Sequence, residues 1–241
     1  GGRQLVLSGG RYPQIDFFGG LVSGNVVPTD SALFRYGMGG NGVLDGAVRQ
    51  SVTPGPWPLP LEGHTALPYG NGQVTYVFGG KNRTGYLNQF WHLTRDLNTL
   101  GADFDYRWQL QGVPDPPPPR WEHTAILTRD TSAVMIVYGG VGKNQQQQDI
   151  VRNDVWRLYW TTAMPSPGYH WEPLSPTTPP GLDPPGPLWG HSAVYDEARK
   201  RMIVSAGRRT LSGAPTSDTT WALSFAQGSS RGRTASAGSW D

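Results

Sequence analysis

Three histidines stand at the head of three similar phrases: His64-Thr65-Ala66, His123-Thr124-Ala125 and His191-Ser192-Ala193. Imidazoles at one equivalent position of a ring of repeats lie at similar height and radius, and three convergent imidazoles can hold a divalent metal. Equivalent positions on separate repeats need not point at a common centre, however, and no Asp or Glu recurs beside these histidines. The expectation is therefore a structural role and no metal, each ring hydrogen-bonding a neighbouring strand. His92 and His170 are not repeat-equivalent. The chain has no cysteine, which removes disulfides, thiolate metal sites and cysteine nucleophiles together. No paired carboxylates, Ser-His-Asp order or phosphate-cradling glycine loop stands out. No catalytic residue, no cofactor and no enzymatic activity are expected.

A different chemistry is carried by cations. Lys81 and Arg83, with Tyr86 close behind, follow Gly79-Gly80; Lys143 follows Gly139-Gly140; Arg208 and Arg209 follow Ala206-Gly207. Loops on a rigid scaffold carry function, and a row of Lys and Arg on one face favours an acidic protein partner. Tyr86 would serve as its aromatic anchor. A second candidate set, Arg120, Trp121 and Trp189, lies beside the stiff connections Pro116-Pro117-Pro118-Pro119 and Pro179-Pro180 to Pro184-Pro185. Asn82-Arg83-Thr84 matches a glycosylation acceptor, and Gln145 to Gln148 reads as a solvated insertion. The formal net charge of +2 is too small to imply a nucleic-acid surface. No apolar run approaches the ~18–20 residues of a membrane helix.

These residues must be held by short strands. Each His phrase is followed by an apolar run ending in a glycine pair or its counterpart: Val74 to Phe78, Val134 to Tyr138, and Met202 to Ser205. Each then leads to a Trp-bearing segment, Phe90-Trp91-His92-Leu93, Val155-Trp156-Arg157-Leu158 or Thr220-Trp221-Ala222-Leu223. Gly19 to Gly79 and Gly79 to Gly139 are both 60 positions, and Gly139 to Ala206 is 67 because a Pro-rich insertion lengthens that connection. A fixed strand order at a period of roughly 50 residues is the signature of a propeller-type repeat. With 33 Gly, 22 Pro, 10 Trp and only 16% charged residues, the composition agrees with an all-β chain of tight turns and aromatic packing. In the third copy strands are expected over 123–128, 133–138, 154–159 and 169–174, with a turn at Arg129-Asp130-Thr131-Ser132. The first copy is degraded, with Gln4 to Leu7 and Gln14 to Phe18 as its first strands. Trp91, Trp156 and Trp221 are expected to be equivalent and largely buried between sheets.

Glycine pairs after an apolar strand, then Asn153-Asp154-Val155-Trp156-Arg157-Leu158 and Trp171, resemble the kelch repeat. The second copy matches with Gly79-Gly80, Asn88-Gln89-Phe90-Trp91-His92-Leu93 and Trp108, the fourth more loosely with Ala206-Gly207 and Asp218-Thr219-Thr220-Trp221. The first has Gly19-Gly20 and Ser31-Ala32-Leu33-Phe34 but no Trp. The resemblance implies a kelch-type β-propeller of four four-stranded blades, approximately 1–58, 59–117, 118–186 and 187–227. Residues 228–241 are expected to form a flexible Gly/Ser/Arg-rich tail or a remnant outer strand. Four blades could close a small ring; part of a larger, six- or seven-bladed ring within a longer chain or complex is the preferred expectation. Some kelch-like propellers are enzymes. Those resembling galactose oxidase need a cysteine cross-linked to tyrosine, and those resembling sialic-acid mutarotase place Arg and Glu in a central funnel. Arg120, Glu122, Arg208 and Arg209 could stand there, but Glu122 has no second acid at a recognisable spacing. The function implied is a protein-protein interaction scaffold, in a cytoplasmic or cytoskeletal setting. The alternative is an extracellular carbohydrate-binding or carbohydrate-modifying propeller.

Overall fold

In the computed structural model the described residues are the backbone of 4–8, 14–18, 33–38 and 44–49, and the whole of 56–59, 61–69, 73–95, 106–128, 135–212, 219–225 and 239–240. Among them there is no helix; the chain is built from short antiparallel strands. It divides into two compact units, Gly1–Gly112 and Val113–Asp241.

The first unit opens with β1 (Gln4–Ser8), β2 (Gln14–Phe18), β3 (Leu33–Met38) and β4 (Leu44–Arg49), paired in that order as one sheet. A second sheet follows from β5 (Thr65–Tyr69) and β6 (Val74–Phe78). The short hairpin β7 (Lys81–Asn82) and β8 (Gly85–Tyr86) interrupts it before β9 (Phe90–Arg95) and β10 (Tyr106–Gln111) complete the order β5-β6-β9-β10. Tyr76, Val77 and Phe78 in β6 are all buried, as an apolar run must be when both faces of its sheet are covered. Leu61, Val77, Trp91, Leu93, Tyr106 and Trp108 make one cluster. Its two indoles meet edge to face at 6.3 Å, a favoured aromatic geometry.

The second unit begins with β11 (Arg120–Trp121), then β12 (Thr124–Leu127) and β13 (Met135–Tyr138). Next come β14 (Val141–Lys143), β15 (Asp149–Val151), β16 (Val155–Thr161) and β17 (Gly168–Leu174). The order β12-β13-β16-β17 forms the third four-stranded sheet, and β11-β14-β15 a small one beside it. The fourth comprises β18 (Ser192–Asp196), β19 (Arg201–Ser205), β20 (Thr220–Ser224) and β21 (Ser239–Trp240), in that order. Facing side chains of the third and fourth sheets form one core, with Ile126, Ile136 and Tyr138 against Met202, Val204, Trp221, Leu223 and Trp240. Leu188, from the connection between them, is fully buried at the seam.

Four four-stranded antiparallel sheets thus occupy the places the repeat predicts. β2, β6, β13 and β19 each stop at the residue before the glycine pair or its counterpart. The turn at 129–132, Ala133, Val134, the pair Gly19-Gly20 and the tail over 228–238 lie outside the described residues. β21, with Trp240, supplies an outer strand within the expected 228–241 segment. The three equivalent indoles are not covered equally: Trp91 and Trp221 are buried, and Trp156 is of intermediate burial. Its indole N–H is turned to the Asp154 carboxylate at 2.7 Å, and that side chain remains one-third exposed (33%).

The described glycine pairs and their counterpart Ala206-Gly207 share one conformation. Gly79, Gly139 and Ala206 have φ of 66°, 66° and 61°, and Gly80, Gly140 and Gly207 follow at 89°, 92° and 98°. A Cβ on the second glycine would lie 2.7–2.8 Å from the Cβ of His64, His123 or His191 respectively. The histidine of each copy is therefore packed directly on the glycine, where no side chain fits. A Cβ on Gly139 would meet the Leu188 carbonyl oxygen at 2.5 Å, whereas Ala206 is exposed. His191 Nε2 lies 2.7 Å from Thr124 Oγ1 on β12 of the neighbouring sheet, the kind of bond expected for these rings.

Two outcomes follow for stability. Gly139→Ala should destabilise the fold by roughly 2–4 kcal/mol, combining positive φ with overpacking. Ala206→Gly should instead stabilise it by about 1 kcal/mol by relieving the same φ where space is open; chemical denaturation of both variants checks the contrast. The second outcome concerns acid. Burial lowers His64 and His191 from 6.5 to about 4, so the folded chain keeps them neutral while the unfolded chain takes up protons. Stability should be full above pH 6.5, fall as pH drops from 6.5 towards 4, and gain no further loss from these groups below that. The denaturation midpoint should be lower at pH 5 than at pH 7, and the drop smaller in His191→Gln.

Candidate interaction face

The segment before each repeated histidine pairs with the residue just after each glycine pair. Glu62 bridges Lys81, Trp121 pairs with Val141, and Trp189 bridges Arg208. At Glu62–Lys81 and Trp189–Arg208 both backbone N–H groups donate across the bridge, at 2.9–3.0 Å. A left-handed residue then turns the chain into the histidine: Gly63, Glu122 and Gly190, with φ of 58°, 52° and 60°. One rigid slot is thus built three times, and the sequence fills it with three chemistries.

In the first unit the slot is an ion pair, Lys81 Nζ to Glu62 Oε1 at 2.9 Å, with Glu62 buried. Arg83 is exposed at the tip of the β7–β8 hairpin, and Tyr86 is half-buried at its base. In the second unit Trp121 and Trp189, from successive copies, are both half-buried, with ring centroids 6.1 Å apart. The Arg208 guanidinium lies 5.3 Å over the Trp189 ring, a cation–π contact. The Trp189 indole N–H donates to the Thr210 carbonyl oxygen at 3.0 Å, fixing the ring. Trp121, Trp189 and Arg208 therefore form a continuous aromatic and cationic row. The Arg209 guanidinium lies 5.7 Å over the Trp221 ring. Lys143 stands apart at the end of β14, paired with Asp149 at 2.8 Å. Its copy places the buried Val141 where the others place Lys81 and Arg208.

Arg120 departs from expectation. It does not belong to an exposed rim: its side chain is fully buried. The guanidinium grips Asp154 with two bonds of 2.8 Å and donates to the carbonyl oxygens of Gly139 and Pro118, each at 3.1 Å. Bidentate pairing of this kind is the strong form of the contact. Burial alone would raise the Asp154 carboxyl, but the Arg120 bonds and charge, the Trp156 indole and Arg152 outweigh it and hold the carboxyl below its usual range. The equivalent positions explain why charge occurs only here. Gly79 and Gly139 donate to the backbone of Gln89 and Asp154 respectively, and Trp91 and Trp156 donate to those same side chains. The second copy sets Leu61 with Gln89; the third sets Arg120 with Asp154. Sequence reading missed an aromatic group on β16–β17, where the exposed Trp160 meets the half-buried Tyr169 at 4.8 Å and Tyr159 stacks on His170 at 5.7 Å. The alternation of Tyr159-Trp160 with Tyr169-His170 was its only sequence signal.

No family model matches the sequence. Among curated proteins, multiple epidermal growth factor-like domains protein 8 of Homo sapiens is 28% identical over 199 residues, covering 75% of this chain and 6% of that protein. The dynein alpha chain of the flagellar outer arm from Chlamydomonas reinhardtii is 33% identical over 99 residues, 41% of this chain and 2% of its own length. The chain thus spans only a small part of the curated relatives it matches. Among solved structures, one chain of RAG in complex with one melted and one unmelted RSS superposes with a TM-score of 0.61 at 13% identity, over 93% of this chain and 64% of that one. That likeness is of fold alone.

The buried ion pair predicts a double-variant result. Arg120→Leu should destabilise the chain by about 3 kcal/mol, because it removes the two strongest bonds of the Asp154 carboxylate and the donors to the Gly139 and Pro118 carbonyl oxygens. Adding Asp154→Gln recreates the Leu61 and Gln89 combination of the second copy and should recover most of that loss. Denaturation of the wild type, both single variants and the double variant measures the coupling.

Proposed function

We propose that this chain is part of a kelch-like β-propeller that acts as a non-enzymatic protein-protein interaction scaffold, within a larger protein or assembly. The reading is supported by four four-stranded antiparallel sheets with one recurring glycine-pair geometry. Fold alone does not carry function. The observation that carries the proposal is the row of Trp121, Trp189 and Arg208, set on paired backbone and half-exposed. Trp and Arg dominate the energetics of protein interfaces, and they do so best when their rotamers are fixed beforehand. With Arg209 beside Arg208, the partner segment complementary to this row is acidic and carries an apolar side chain for the indoles.

An extracellular sugar-binding propeller would use the same indoles as stacking platforms. Arg208 already covers one face of Trp189, which favours the protein reading. Lys81, Arg83 and Tyr86 belong to the corresponding slot of the first unit and Lys143 to the third copy.

The test is a binding measurement with a partner isolated on the wild-type chain. Trp189→Ala with Arg208→Glu should weaken association by about 30-fold or more, as for a hot spot, and reduce its salt dependence, with little change in the denaturation midpoint. A partner that binds this double variant with unchanged affinity and salt response would overturn the assignment.

A further inference from the structure

The hairpin β7–β8 carries the one Asn-x-Ser/Thr triplet of the sequence, Asn82-Arg83-Thr84. Asn82 pairs across the hairpin with Gly85, which leaves Arg83 and Thr84 at an exposed tip. Asn82 Oδ1 accepts two hydrogen bonds, from the Thr84 backbone N–H at 2.8 Å and from the Thr84 hydroxyl at 2.6 Å. A backbone nitrogen can only donate, so the amide oxygen is identified by its partner and Nδ2 lies on the other side of the carboxamide. The triplet is thus closed into a turn by its own side chains, on a hairpin that leaves the core. A Cβ placed on Gly85 would meet nothing within 4 Å, so the tip has open space around it.

We propose that Asn82 is an acceptor site for an asparagine-linked oligosaccharide. The co-reactant is an oligosaccharide carried on a lipid diphosphate, presented by a transferase. A bond forms between Asn82 Nδ2 and the anomeric carbon of the first sugar. The bond from that carbon to the diphosphate oxygen breaks, the lipid diphosphate leaves with the electron pair, and one Nδ2 proton passes to a base of the transferase. The hairpin is anchored at its base by the Lys81 bridge to Glu62 and by Leu87 on the buried cluster, but its tip at Arg83, Thr84 and Gly85 is exposed, so the fold accommodates a bulky solvated chain there. A glycan on Asn82 would cover Arg83 and Tyr86 and remove them from any partner rim. It also requires passage through a compartment that holds the lipid-linked donor, contrary to the cytoplasmic or cytoskeletal setting that the kelch resemblance implies. The inference does not depend on the Trp121, Trp189 and Arg208 row.

The experiment translates the full 241-residue chain behind a cleavable secretion leader into the lumen of microsomes. Modification is read by treatment with an amidase that releases asparagine-linked glycans, and by mass spectrometry of the peptide containing Asn82. One glycan per chain is expected, absent in Asn82→Gln and Thr84→Ala, and retained in Thr84→Ser and in the Trp189→Ala, Arg208→Glu variant. Lumenal chain that resists added protease yet carries an unmodified Asn82 would overturn the proposal and leave the partner-binding reading untouched.

Discussion

At Gly79-Gly80, Gly139-Gly140 and Ala206-Gly207 two backbone segments approach so closely that no side chain can separate them. The histidine Cβ of each copy sits where a Cβ on the second glycine would be, 2.7–2.8 Å away, and the left-handed φ of both pair residues aims the chain out of the sheet. Three consequences hang on this contact. The inner strand stops at the pair, the residue after the pair is delivered to the segment before the histidine, and the histidine ring is buried against its neighbours. The surface slots filled by Glu62 with Lys81, and by Trp189 with Arg208, exist because that backbone is fixed.

Much of this frame was legible because it is periodic. Equal spacing of Gly19, Gly79 and Gly139 marks the ends of equivalent strands without reference to any partner. An apolar run such as Met135 to Tyr138 declares a strand buried on both faces. The site was less legible, for a physical reason. A sequence shows that Arg120, Lys81 and Arg208 are cations near loops, but not whether a carboxylate or an indole awaits them. Arg120 lies only one residue before the half-exposed Trp121 yet is fully buried, because strand alternation sends successive side chains to opposite sides. Its partner Asp154 is 34 positions away, and only the alignment of copies, Leu61 with Gln89 against Arg120 with Asp154, hints that the two belong together. Trp156 is the least covered of the three equivalent indoles for a related reason. Its indole N–H has a carboxylate to serve, and that carboxylate is partly wet.

The same slot filled by an ion pair, by Trp121 with Val141 and by a cation over an indole shows how a repeat separates scaffold from surface. Backbone bonds hold the position whichever side chains occupy it, so the side chains are free to vary towards a partner. Buried charge follows a stricter rule. Arg120 is tolerated with four hydrogen bonds, two to Asp154 and one each to Gly139 and Pro118, since a charge taken from water must be paired and hydrogen-bonded.

The seam between the third and fourth sheets also has a direction. The Gly140 N–H donates to the Leu188 carbonyl oxygen, Leu188 donates to Arg152, and the Tyr138 hydroxyl donates to Gly186. In each case a residue of the third copy holds the connection that leads into the fourth sheet. The third sheet and its small neighbour thus supply the partners that hold the 186–188 connection, while the fourth sheet reaches back to the third through the His191 ring on Thr124. Loss of the third sheet would therefore strip the entry to the fourth of these backbone partners, whereas loss of the fourth would leave the third sheet's own strand ladder complete.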